Sequence, residues 1–82
     1  MFGRRDERPP LERALEAATS LKPGSWESVE ALAQLSMECG GTPDAERLYQ
    51  NAARAASGLR AGTYDSVRAL VWLHRADRHL HS

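Results

Sequence analysis

Eighty-two residues make one domain, and a chain this short buries only a modest share of its surface. Its 11 basic and 11 acidic residues cancel, which removes the general electrostatic pull toward nucleic acid or a membrane surface. The single cysteine, Cys39, excludes an intrachain disulfide and suits a reducing, cytoplasmic setting.

The basic residues are ten Arg and one Lys, and Ala is abundant; this fits a GC-rich coding sequence, as in a high-GC bacterium. The opening "MFGRRDERPP" has charge but no apolar run, so it reads as neither a signal peptide nor a membrane span. Residues 1–9 are expected to form a mobile N-terminal arm, and residues 10–82 a single helical domain.

Four helices follow in chain order. The first starts after Pro9 and Pro10 and places Leu11, Ala14, Leu15 and Ala18 on one face. "SLKPGS" (Ser20–Ser25) ends it, and Ser25 caps the second helix, whose stripe is Val29, Leu32, Ala33 and Ser36. "CGG" (Cys39–Gly41) stops that helix. "TPDAE" (Thr42–Glu46) starts the third with a cap, a first-turn Pro and acids at the positive end of the helix dipole. Its apolar face is Ala45, Leu48, Tyr49, Ala52 and Ala56. Gly58 and Gly62 bracket a break, and Thr63 caps a fourth helix that runs nearly to the end. No stretch alternates with period two for long, so the fold class is all-α.

The chain repeats itself at a spacing of 38 residues. "GSWESVEAL" (Gly24–Leu32) is matched by "GTYDSVRAL" (Gly62–Leu70), and Leu21–Glu38 and Leu59–Ala76 share seven of eighteen residues without a gap. The preceding helices align at Ala14/Ala52, Ala17/Ala55 and Ala18/Ala56. A unit of this length fits a helical hairpin, giving hairpin 1 at about 10–40 and hairpin 2 at about 42–81. "RAGTYDSV" (Arg60–Val67) resembles the hairpin turn of a tetratricopeptide repeat, and "KPGSWESV" (Lys22–Val29) is a looser copy. Val29 and Val67 stand where that family usually has a small Ala, and the spacing exceeds the family's usual length of about 34. The resemblance implies two stacked hairpins forming a scaffold that binds proteins or peptides, with no catalytic residue and no cofactor.

The fourth helix is apolar on two sides. Val67, Leu70, Val71 and His74 make one face, expected to turn inward; Ala69, Trp72, Leu73, Ala76 and Leu80 make the other. A last helix with a tryptophan on its outer side predicts an interface, most simply a homodimer. A weaker partner surface is expected in the grooves between hairpins, near Trp26, Tyr49 and Tyr64. Residues 10–53 hold three basic and seven acidic groups, whereas 54–82 hold five basic and two acidic, a polarity that suits head-to-tail or antiparallel contacts.

"HRADRHLH" (His74–His81) is the one stretch with metal-ligand residue types, but His74 and His81 lie two turns, about 10 Å, apart. No metal site is expected, and the histidines are read as a semi-buried contact (His74) and solvated residues near the helix end (His79, His81). Cys39 sits at a helix C-terminus, the wrong end to stabilise a thiolate, and reads as a small buried residue. The alternative function is a nucleic-acid-binding regulator using Arg54, Arg60, Arg68, Arg75 and Arg78 with Arg4, Arg5 and Arg8 as an arm; Trp72 and Leu73 on the reading helix weigh against it. The leading expectation is a small non-enzymatic interaction module, an adaptor or regulator that self-associates through its fourth helix.

Overall fold

The computed structural model describes residues 5–22 and 24–82. The chain forms four helices: α1 (Pro10–Ala18), α2 (Trp26–Glu38), α3 (Pro43–Ser57) and α4 (Tyr64–His81). There is no strand among the described residues, and the fold is all-α. Pro23, expected in the first break, and residues 1–4 of the expected arm lie outside the described residues. Asp6 and Arg8 reach back onto α1, where Arg8 pairs with Glu12 and Glu16 and Asp6 with Arg13.

Side-chain caps set the starts of α2 and α4, whereas Thr42, expected to cap α3, makes no cap bond and donates its hydroxyl to the Cys39 carbonyl at 2.7 Å. The Ser25 hydroxyl accepts the Ser28 amide at 3.2 Å, and the Thr63 hydroxyl accepts the Ser66 amide at 3.1 Å. At Thr63 the bond is reciprocal, because Ser66 Oγ accepts the Thr63 amide at 2.9 Å. Two of the backbone donors at that helix end are thereby satisfied. The α2–α3 turn needs Gly41, whose φ of 88° is costly for a residue with a Cβ. Gly62, at φ 123°, meets the same demand just before α4.

α2 is the central element. α3 and α4 pack on it extensively and touch each other less, and α1 approaches α2 alone. This packing is compatible with two hairpins meeting across α2. Val29, Leu32, Ala33 and Ser36 face inward as their spacing predicts, joined by Ala45, Leu48 and Ala52 from α3 and Ala69 from α4. The core sets Leu32, Leu48 and Val29 among small side chains, chiefly Ala33, Ala45, Ala52, Ala69, Ser36 and Ser66. The three buried serines return their protons to backbone carbonyls, at Lys22, Ala33 and Thr63. No buried side-chain polar atom lacks a partner among the described residues, so these hydroxyls escape the cost of unpaired burial.

α1 is the loosest element. None of its residues is buried, and Leu11 remains 39% exposed. Its apolar side chains leave open grooves on either flank. One, of about 540 Å³, runs past Leu15, Leu48 and Ala55 with Arg47 and Arg54 at its edge. The other, of about 640 Å³, lies between Ala14 and Ala17 of α1 and Ala31 and Leu35 of α2.

Loss of the α4 cap should be felt by the whole domain. Thr63→Ala is expected to cost about 1 kcal/mol and lower the melting temperature by roughly 4–8 °C, read by circular dichroism at 222 nm.

Candidate functional site: the outer face of α4

The two apolar faces of α4 take the opposite orientation to the one their spacing suggests. Ala69 and Ala76, expected at an interface, are fully buried within the chain. Leu73 and Leu80 are half-buried against the same core. Of the expected interface set, only Trp72 reaches the outer surface, half-buried, with the Arg75 guanidinium 5.0 Å above its ring. Val67, Leu70 and Val71, expected inside, are 62%, 39% and 46% exposed, and His74 is exposed with them. The reason is steric. Ala69 and Ala76 are seven residues apart, two turns on one side of the helix, and their small side chains let α4 lie close to α2. A face carrying Val67 and Val71 holds the two backbones farther apart.

Polar contacts fix that rotation. Arg68 Nε donates to Glu30 Oε1 of α2 at 2.7 Å, while the same guanidinium reaches Asp65 at 3.3 Å. Glu30, and then Asp65, hold the Arg68 guanidinium in its charged form more firmly than usual. Trp26 Nε1 donates to the Arg60 carbonyl at 3.0 Å, tying the start of α2 to the loop that enters α4. The outcome is a surface patch of Tyr64, Val67, Val71 and Trp72 flanked by Arg68 and Arg75. Tyr64 is 77% exposed, with the Arg68 guanidinium 5.4 Å from its ring.

The expected aromatic groove is not assembled as one site. Trp26 and Tyr64 lie toward the start of α4, but Tyr49 packs edge-on to His81 with ring centroids 5.0 Å apart. His81 is 17 residues beyond Tyr64 along α4, about 25 Å at the rise of a helix. Tyr49 therefore belongs to the opposite end of the domain.

That opposite end holds a cluster that spacing along one helix could not reveal. His81 Nδ1 lies 2.7 Å from Asp77 and Nε2 lies 2.6 Å from Glu46 of α3. Asp77 first, and Glu46 second, raise the His81 pKa above its ordinary value of 6.5. Asp77 is held low mainly by His81, and Glu46 by Gln50 and then His81. The imidazolium thus clamps the end of α4 to the start of α3. His79 is exposed, as expected, with its ring beside Gly40 in the α2–α3 turn, where an added Cβ would meet Nε2 at 3.4 Å. No group of three or more His, Cys, Asp and Glu among the described residues is arranged to hold a metal ion. Cys39 is buried, and burial pushes its thiol pKa up, with Asp44 and Glu38 adding to the effect.

Some of the basic residues that would serve nucleic-acid binding have other side-chain partners. Arg68 is committed to Glu30 and Asp65, Arg8 pairs with Asp6 and Glu16, and Arg75 lies over Trp72. Arg54 donates to Asn51 at the edge of the α1–α3 groove.

Two predictions follow from the α3–α4 end. The raised His81 pKa means its contribution to stability is complete below pH 6.5 and is lost as pH rises through the folded-state value. The lowered carboxylates contribute fully above their ordinary values of 3.8 and 4.5 and lose that contribution as pH falls through their folded-state values. The clamp is therefore strongest between about pH 4.5 and 6.5, and His81→Gln should flatten the melting temperature profile above that window. The Cys39 thiol should react with a disulfide reagent at least about tenfold slower in the folded chain than in denaturant, since both burial and the raised pKa suppress the thiolate.

Compared with protein-family models, with curated proteins and with solved structures, the chain matches none at a significant level.

Proposed function

We propose that this chain is a small non-enzymatic protein–protein interaction module, an adaptor or regulator, that self-associates through the outer face of α4. The observation that supports the reading is the uncovered apolar surface on that helix. Six large hydrophobic side chains are exposed among the described residues, and Tyr64, Val67, Leu70 and Val71 account for four of them. Contiguous exposed apolar surface rimmed by charge is characteristic of protein contact sites. Aromatic and Arg side chains, here Trp72, Arg68 and Arg75, are the types enriched there.

The magnitudes point to a modest affinity. Full burial of a Val or Leu is worth about 1.5–3 kcal/mol. Val67, Leu70 and Val71 are already about half covered, so each has roughly 1 kcal/mol left to gain. These three alone do not offset the association entropy of at least about 4 kcal/mol, so burial of the exposed Tyr64 and of Trp72 has to supply the rest and the net affinity is small. A contact of this kind is reversible and concentration-dependent. No described helix is long and apolar enough to cross a membrane, and the reading places the module in the cytoplasm.

Light scattering over a range up to about 1 mM, where weak contacts are populated, tests the reading. The wild type should gain mass with concentration, and Val71→Asp should remain a folded monomer. Equal masses for the two proteins throughout would end it.

A further inference from the structure

We propose that the surface which receives the outer face of α4 is the open groove between α1 and α2 of a second copy, so that copies stack head to tail. This rests on the reading of α4 as a contact surface and names what it contacts.

The argument begins with where the exposed apolar side chains lie. Besides those on α4, the remaining large ones among the described residues are Leu11 and Leu21; both line the α1–α2 groove, and Leu21 also borders the α1–α3 groove. Each hairpin-like half thus carries exposed apolar side chains, on the α1–α2 groove in one and on the outer face of α4 in the other.

The 38-residue register relates these two surfaces to the contact already made inside the chain. Shifting back by 38, the outward residues Val67, Leu70 and Val71 become Val29, Leu32 and Ala33. Those three are 0%, 7% and 0% exposed, because α3 and α4 cover them. The same shift applied to the covering side takes Ala52 and Ala69, both fully buried, to Ala14 and Ala31. It takes Ala55 and Leu73, packed against the core, to Ala17 and Leu35. Ala14, Ala17, Ala31 and Leu35 are the lining of the open groove. The outer face of α4 and the groove thus correspond to the two sides of one contact, made once within the chain and left open at both ends.

Charge favours the same pairing. Glu38 sits in the groove wall and Arg68 and Arg75 flank the α4 patch. The intrachain pair Glu30–Arg68 joins residues 38 apart, which are themselves equivalent in the register. Repeating the step places Arg68 opposite Glu30 of the next copy, again unlike charges. An α4-to-α4 dimer would instead bring two arginine-flanked patches together, which like-charge repulsion disfavours. A head-to-tail contact is heterologous, so each added copy leaves a groove and an α4 face free, and growth continues past the dimer unless a ring closes.

Mixing two variants tests the pairing. Val71→Asp spoils the α4 face and leaves the groove intact; Ala31→Arg does the reverse at an exposed position, and Ala14→Arg repeats the groove test from α1 if the first variant loses helicity by circular dichroism. By light scattering the wild type should pass beyond twice its monomer mass with rising concentration. Each variant alone should remain a monomer, and their equimolar mixture should reach twice the monomer mass and stop there, since one good contact survives per pair. If both groove variants assemble like the wild type while Val71→Asp does not, the groove is not the partner surface and only the α4 reading stands. A mixture that remains monomeric would also overturn the pairing. A wild type that stays monomeric throughout would end both the pairing and the α4 reading.

Discussion

The close approach of α4 to α2 is the constraint on which the rest of the structure depends. It is made possible by Ala69 and Ala76, which present almost no side chain to the seam. It is held by Arg68 on Glu30 near the middle of α2 and by Trp26 on the Arg60 carbonyl at its start. At the far end His81 binds Glu46 of α3, so α4 is fastened along its length to two different helices. Once that rotation is fixed, Val67, Leu70 and Val71 have nowhere to go but outward. The exposed patch is the other side of the choice that built the core.

Much of the architecture was legible in the residues. The breaks at Gly40–Gly41 and Gly62, the caps at Ser25 and Thr63 and the inward stripe of α2 follow from local chemistry, and each is where that chemistry places it. The rotation of α4 was not legible. A helix with apolar side chains on two faces has a weak directional preference, and periodicity cannot rank a face of Val and Leu against one of Ala and Leu. The ranking came from how near two backbones can approach, a property of the pair of helices. The His81 cluster was hidden for a related reason. Glu46 is 35 residues away, so a spacing argument confined to α4 finds Asp77 and stops.

The same limit explains the three aromatics. Trp26, Tyr49 and Tyr64 each stand near a helix start or an expected hairpin face, which suggests a common groove. Their separation follows from α4 being a single uninterrupted helix of 18 residues, long enough to carry its two ends to opposite poles of the domain. Tyr49 then supports the His81 clamp, and Tyr64 joins the outer patch. Similar residue types serve separate duties because one uninterrupted helix lies between them.

A core with two leucines and one valine among eight buried alanines and serines has a thermodynamic consequence of its own. Small side chains bring helices together with little apolar area removed from water per residue. The heat-capacity change of unfolding scales with that area. A core in which alanine and serine outnumber leucine and valine therefore gives a flatter stability curve than a leucine-rich core of the same length. Against such a core, the folded state of this chain is correspondingly less sensitive to temperature.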